Sequence, residues 1–182
     1  MHLNITPIYQ TDDTRLSDYY NIRERNLVGQ QHKFIAEGKV ILSALLYSKD
    51  FFALSLLIVT ERLPGLMPLL EKTQPACSIY CVPQKIMNNI VGFHVHRGIL
   101  GVSKRKTLPS LQQFLQDLPG EALILVLCGI SNHDNIGAIF RNAAAFASNS
   151  IIIDKTSCDP LYRKSIRVSV SAALKVPLYT RS

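Results

Sequence analysis

Four things are missing from this sequence of 182 residues, and each narrows what the protein can be. The longest apolar runs, around residues 51–59 and 122–130, fall well short of the roughly 20 residues a membrane-spanning helix needs. The first residues, Met1-His2-Leu3-Asn4, lack the basic start and apolar stretch of a secretion signal, so a cytoplasmic protein with no membrane partner is the expectation. No C-x-x-C pair links Cys77, Cys81, Cys128 and Cys158, which favours buried, reduced thiols over disulfides or a metal site. Neither G-x-G-x-x-G nor G-x-x-x-x-G-K-[ST] occurs, so neither a dinucleotide fold nor a phosphate-loop nucleotidase has support.

Acidic residues also run out: none follows Asp159, whereas Arg163, Lys164, Arg167, Lys175 and Arg181 do. Net charge is +7 and the sequence pI is near 9.4, a balance that favours polyanionic partners such as nucleic acid. Lys104-Arg105-Lys106 forms a second basic cluster. A merely solvated surface is the competing reading of either cluster. His94 and His96 would share one face of a strand, but no third ligand lies nearby, and a structural or RNA-contacting role is preferred to metal binding.

Hydrophobic residues make up 47% of the chain and charged residues 18%, enough apolar surface for a packed core. Periodicity predicts helices over 15–27, 38–47, 64–72, 84–90, 110–117, 136–147 and 162–169. It predicts strands over 33–36, 54–59, 78–82, 98–103, 122–127 and 150–153, with a further one over 176–179. The basic stretch 104–108, ending at Pro109, reads as a linker, dividing the chain into two α/β units, 1–107 and 108–182. The second unit alternates fully apolar strands with helices, the pattern of a parallel sheet. With so few strands it cannot cover both faces of that sheet, and it reads as incomplete.

The polar segment Asn132-His133-Asp134-Asn135-Ile136-Gly137 follows directly on the apolar strand 122–127. Ligands of open α/β sheets bind at that edge. Asn135 is the expected N-cap, Gly137 leaves room in the first turn for a close approach, and Arg141 lies six residues beyond Asn135. Ile136, Ile139, Phe140, Ala143 and Phe146 are the expected packing face. By itself the stretch reads first as a capped amphipathic helix with a surface arginine.

Asn135-x-Gly137-Ala138-Ile139-x-Arg141-x-Ala143-x-x-Phe146 resembles the first signature motif of the SpoU (TrmH-type) RNA ribose 2′-O-methyltransferases of the SPOUT superfamily. The stretch from Cys158 to Ser169, with Val176-Pro177 after it, resembles that family's following helix and strand. Phe34-Ile35-Ala36-Glu37-Gly38 and His96-Arg97-Gly98-Ile99-Leu100 resemble its N-terminal RNA-binding domain, which has an L30e-like fold. The chain departs from the family at Ala147 and Ser171, where glycine is usual.

The resemblance implies an L30e-like α/β domain over 1–107 that binds structured rRNA or tRNA, followed by the first part of a SPOUT parallel-sheet domain over 108–182. It implies S-adenosylmethionine as methyl donor and no metal. It also implies that the knot motifs, which bind the cofactor and make much of a homodimer interface, lie beyond Ser182. Arg141 matches the catalytic arginine and Asn135 the asparagine that positions it. Glu37, His96, Arg97, Lys104, Arg105 and Lys106 would contact RNA, with Arg163, Lys164 and Arg167 as a second basic face. A non-catalytic RNA-binding protein on the same scaffold is the alternative; a metabolic α/β enzyme acting on a small anion is a more distant one.

Overall fold

The computed structural model describes residues 3–20, 22, 32–92 and 95–180. The chain divides into two compact units, Met1–Lys104 and Arg105–Ser182.

In the first unit the strands are β1 (Ile5–Pro7), β2 (Lys33–Glu37), β3 (Phe51–Val59), β4 (Ser78–Val82) and β5 (Ile99–Arg105). They form one sheet in the order β1-β4-β3-β5-β2. β4 runs parallel to both β1 and β3, while β2 is antiparallel to β5, so the sheet is mixed. Among the described residues its α-helices are α1 (Lys39–Leu46), α2 (Met67–Thr73) and α3 (Gln84–Val91).

Alternation along β3 explains how both faces are used. Leu57 and Val59 join a core with Leu16, Tyr19, Met87, Ile90 and Val102. Leu56, with Leu42 and Leu45 of α1, closes around Gly101 on the opposite face. Phe34 and Phe51 meet edge to face, with ring centroids 5.4 Å apart, and β3 begins at Phe51, three residues before its expected start.

Three expectations shift here. The helix predicted over 15–27 is represented by a 3-10 helix, Thr14–Tyr19, and residues 21 and 23–31 lie outside the described residues. The helix predicted from Pro64 begins at Met67, with Pro68 in its first turn, because Thr60–Arg62 winds into a separate 3-10 turn. Lys104 and Arg105 are not linker but the end of β5, held by the pairing of Lys104 with Lys33.

The second unit carries β6 (Ile124–Leu127), β7 (Ser150–Ile153) and β8 (Leu178–Thr180) in a parallel sheet of that order. Its helices are α4 (Leu111–Gln116), α5 (His133–Ala145) and α6 (Arg163–Val168). Leu127, Ile151, Ile153 and Leu178 pack against Ile136, Phe140 and Ala143 of α5 and against Ala172, Ala173 and Val176. The opposite face presents the in-register row Val126, Ile152 and Tyr179, with Phe114 against Tyr179. Val126 remains 64% exposed on this face.

Among the described residues no helix is long and apolar enough to cross a membrane. All four cysteines are free; Cys81 is buried and Cys77 and Cys158 are half-buried, but Cys128 is exposed, against the expectation of buried thiols. Cys128 follows the last residue of the edge strand β6, at the start of the polar loop.

Candidate functional site

Because β6 and β7 are parallel, the loops that follow them emerge at the same sheet edge. Asp154, directly after β7, stitches these loops together. Its carboxylate accepts hydrogen bonds from Ser157 Oγ at 2.6 Å, Thr156 Oγ1 at 2.5 Å and the Ser157 amide at 2.9 Å. The Gly129 amide, in the loop after β6, reaches the same carboxylate at 3.3 Å. The side-chain bonds from Ser157 and then Thr156 hold the Asp154 carboxyl down, at about 2. Ser157 Oγ also accepts from the Ile130 amide at 3.0 Å, and the Cys158 amide donates to the Ile130 carbonyl at 2.8 Å.

The polar turn then enters α5 three residues earlier than its sequence suggests. Asn132, not Asn135, is the N-cap: its extended backbone places Oδ1 2.7 Å from the Asp134 amide and 3.3 Å from the Asn135 amide. Two asparagines compete for this position, and capping at Asn132 puts Asp134 in the first turn, where the helix dipole favours a carboxylate. Asn135 therefore lies within the helix and is exposed. Arg141 is also exposed, about 9 Å further along the axis and about 120° around it. Among the described residues neither side chain has a hydrogen-bond or ion-pair partner.

Gly137 does receive a close neighbour, and it is α6. A Cβ at Gly137 would lie 2.8 Å from both the Ser165 carbonyl oxygen and Val168 Cβ. The glycine thus serves helix-on-helix packing. At the mouth of the same helix pair, the His133 and Tyr162 rings lie 4.5 Å apart, and Lys164 pairs with Asp134 at 2.7 Å. Of the expected packing residues, Ile136, Phe140 and Ala143 are buried, but Phe146 is 76% exposed: it is the C-cap residue and turns away from the core.

Both departures from the family's glycines fall on left-handed backbone, Ala147 at φ 52 and Ser171 at φ 69. Ser171 sits beside Val170, a β-branched residue at φ 51. A glycine would adopt these conformations without strain.

The basic residues are spread over several surfaces. Lys164 is engaged with Asp134, Arg163 is half-buried, and Arg167 is exposed. Lys104 and Lys106 are exposed and Arg105 is half-buried. Glu37 is half-buried at the end of β2, and His96 and Arg97 are exposed before β5; His94 lies outside the described residues. His96 and Arg97 line a groove of about 460 Å³ together with Lys39, Arg62 and Val40. The last three were not singled out in the sequence, since no local pattern marks them. They meet Arg97 only because β3 and β2 both flank β5 in the sheet.

The second unit is thus an α/β unit with a parallel sheet, a polar turn at the strand ends and an exposed arginine on the following helix. Residues 122–182 match the model of the SpoU rRNA methylase family. A tRNA/rRNA methyltransferase of Mycobacterium bovis, itself uncharacterized, is 33% identical over 184 residues, covering 99% of this chain and 62% of that protein. A 23S rRNA (guanosine-2′-O-)-methyltransferase of Nitrosomonas europaea is 29% identical over 120 residues, 65% of this chain and 45% of that one.

The crystal structure of an rRNA methyltransferase from Sinorhizobium meliloti superposes with a TM-score of 0.75 at 19% identity, covering 98% of this chain and 66% of that one. The AdoMet-bound form of an rRNA methyltransferase from the same organism gives 0.71 at 17% identity, over 97% and 65%. The chain spans 62% of the length of the mycobacterial relative.

Proposed function

We propose that the protein carrying this chain transfers a methyl group from S-adenosylmethionine to a ribose 2′-hydroxyl of structured rRNA or tRNA, in the cytoplasm, as a homodimer. The observation that carries this reading is Arg141, exposed and unpartnered on the helix that follows β6, within the segment that matches the SpoU family. The 2′-hydroxyl as acceptor is supported by the likeness to the Nitrosomonas relative, a 23S rRNA (guanosine-2′-O-)-methyltransferase.

S-adenosylmethionine needs an enclosed site that covers most of its surface. In the second unit Val126 on one face of the three-stranded sheet and Phe146 beyond α5 are exposed. The part assigned to this chain is the RNA side of the reaction. Arginine stays protonated in proteins, so Arg141 is no base. Its guanidinium can grip a phosphate bidentately and stabilise the alkoxide that develops as the hydroxyl loses its proton. The phosphate it would hold is assigned as the acceptor for that proton. Asn135, about 9 Å before Arg141 along the helix axis and about 120° around it, is assigned to positioning the RNA there.

RNA affinity is assigned to Glu37, His96, Arg97, Lys104, Arg105 and Lys106 in the first unit, read as L30e-like, and to Arg163, Lys164 and Arg167 in the second. Contacts of this kind to phosphates orient RNA without reading its sequence.

The test uses the natural protein that carries the chain, labelled S-adenosylmethionine and structured RNA. Alkali-resistant dinucleotides carrying the label are the expected product. RNA binding without any transfer by that protein would favour the non-catalytic alternative, and label in a base would contradict the 2′-hydroxyl.

A further inference from the structure

The groove in the first unit is constructed rather than incidental. Gly38, at φ 88, allows Arg97 to lie across the end of β2: a Cβ there would stand 2.6 Å from Arg97 Cδ. Gly98, at φ 62, accommodates Arg62 in the same way, with Arg62 Cγ at 3.2 Å and Val59 Cβ at 3.1 Å from where a Cβ would be. Backbone bonds lock the strand ends that carry these glycines, Gly38 N to Ile99 O at 3.0 Å and Val59 N to Gly98 O at 2.8 Å. Two arginine stems are thus laid on rigid backbone, which limits where their guanidiniums can emerge. Lys39 Nζ donates to the Gly65 carbonyl at 2.9 Å, tying the start of α1 to the loop before α2.

Between these cations the floor is apolar, formed by buried Leu66 and Ile99 and by Val40, which is 57% exposed. Glu37 and Glu61 adjoin these residues in sequence but are not among the described lining residues. Guanidiniums suit phosphate oxygens, and an apolar shelf beside them suits the face of an unstacked base. The volume of about 460 Å³ lies within the range of about 300–1,000 Å³ typical of small-ligand sites.

We propose that this groove takes one unpaired nucleotide of the RNA substrate, its phosphate on Arg62 and Arg97 and its base against Val40. The assignment rests on the RNA-modifying reading above. It would give the first unit a preference for RNA with an extruded nucleotide, beyond non-specific attraction to phosphates.

The experiment measures binding of the full chain to a fluorescent RNA hairpin with one bulged nucleotide, and to the same hairpin fully paired, over a range of salt. The bulged hairpin should bind about tenfold more tightly, as one stacked base implies. Arg62→Gln and Arg97→Gln should each remove most of that preference and flatten the log–log salt slope by about one. Val40→Ser should reduce the preference and leave the slope unchanged. Lys155→Gln, an exposed cation of the second unit, should change neither. Should Arg97→Gln impair folding, as a thermal melt would reveal, Arg62→Gln and Val40→Ser carry the test, both being at exposed positions.

Salt-dependent binding of both hairpins with equal affinity, insensitive to the groove variants, would overturn the groove and leave the RNA reading standing. No binding of either hairpin at low salt would remove the RNA reading and the groove assignment together. Adenosine monophosphate that fills the groove more tightly than the bulged hairpin does would make it a small-molecule site and overturn the proposal.

Discussion

The two units of this chain solve the same packing problem to different degrees. In the first, five strands give a sheet whose two faces are both buried, with Leu57 and Val59 on one side and Leu56 among Leu42 and Leu45 on the other. In the second, three strands bury one face, and the row through Val126 on the other is covered only in part, by α4. Among the described residues, buried hydroxyls without a hydrogen-bond partner in the protein, at Ser148, Ser150, Ser165 and Ser171, all lie in this second unit, which also has Ala147, Val170 and Ser171 in left-handed backbone, against His32 and Gln74 in the first. Unsatisfied buried groups and positive-φ side chains each cost free energy. The contrast teaches that the second unit bears strain near the candidate catalytic helix, while the first unit is the better closed body.

The contrast can be sharpened most at Gly137. Gly137→Ala forces a Cβ into the Ser165 carbonyl and Val168, and the expected loss is about 2 kcal/mol, in the range of overpacked cores. Hydrogen exchange resolved by segment should show the loss across α5 and α6, with β3 and β5 protected as before. Equal loosening of both units would break the comparison.

A smaller effect of opposite sign is expected at Ser171. Ser171→Gly relieves the positive φ and removes a buried hydroxyl that has no partner, so the second unit should gain about 1 kcal/mol. Ala147→Gly should act in the same direction but more weakly, since Ala147 is exposed. Denaturant unfolding followed by a probe in the second unit would show whether either substitution is neutral or harmful, and a harmful result would mean the strain has been misplaced.

The smallest effect concerns acid. Asp154 has its carboxyl held below the usual carboxylate range, at about 2. Its contribution to stability is therefore present above about pH 4 and is lost as pH falls towards 2. Exchange of the Gly129 and Ser157 amides should accelerate in that window, and Asp154→Asn should remove the pH dependence. Amides that stay equally protected through it would mean the loop is held by other bonds.

Much of the fold was legible because its signals are local. β4 and β7 coincide with their apolar runs, and α1, α3 and α6 are found within a residue or two of their expected ends. The misses came from competition or from distance. Two nearby asparagines could each cap α5, and only the backbone decides for Asn132. Pro64 and Pro68 could each open α2, and a 3-10 turn between β3 and the helix decides for the later one. Phe146 fits the helical spacing of a buried face but stands where the helix has already ended. On the candidate site, the motif from Asn135 to Phe146 identified the helix, yet Arg62, Lys39 and Val40 carry no local mark. They approach Arg97 through strand order, which pattern along the chain does not encode.

The division of labour between the units is the central claim, and one paired measurement tests it directly. In the natural protein, methyl transfer to structured RNA is measured alongside RNA affinity for Arg141→Ala and for Arg97→Ala. Arg141→Ala should lower kcat by at least about a hundredfold, the scale of a lost transition-state donor, with RNA affinity nearly unchanged. Arg97→Ala should weaken RNA binding and raise KM while kcat is kept. If Arg141→Ala retains full turnover, or if Arg97→Ala lowers kcat with RNA affinity intact, the units do not divide binding from chemistry in this way.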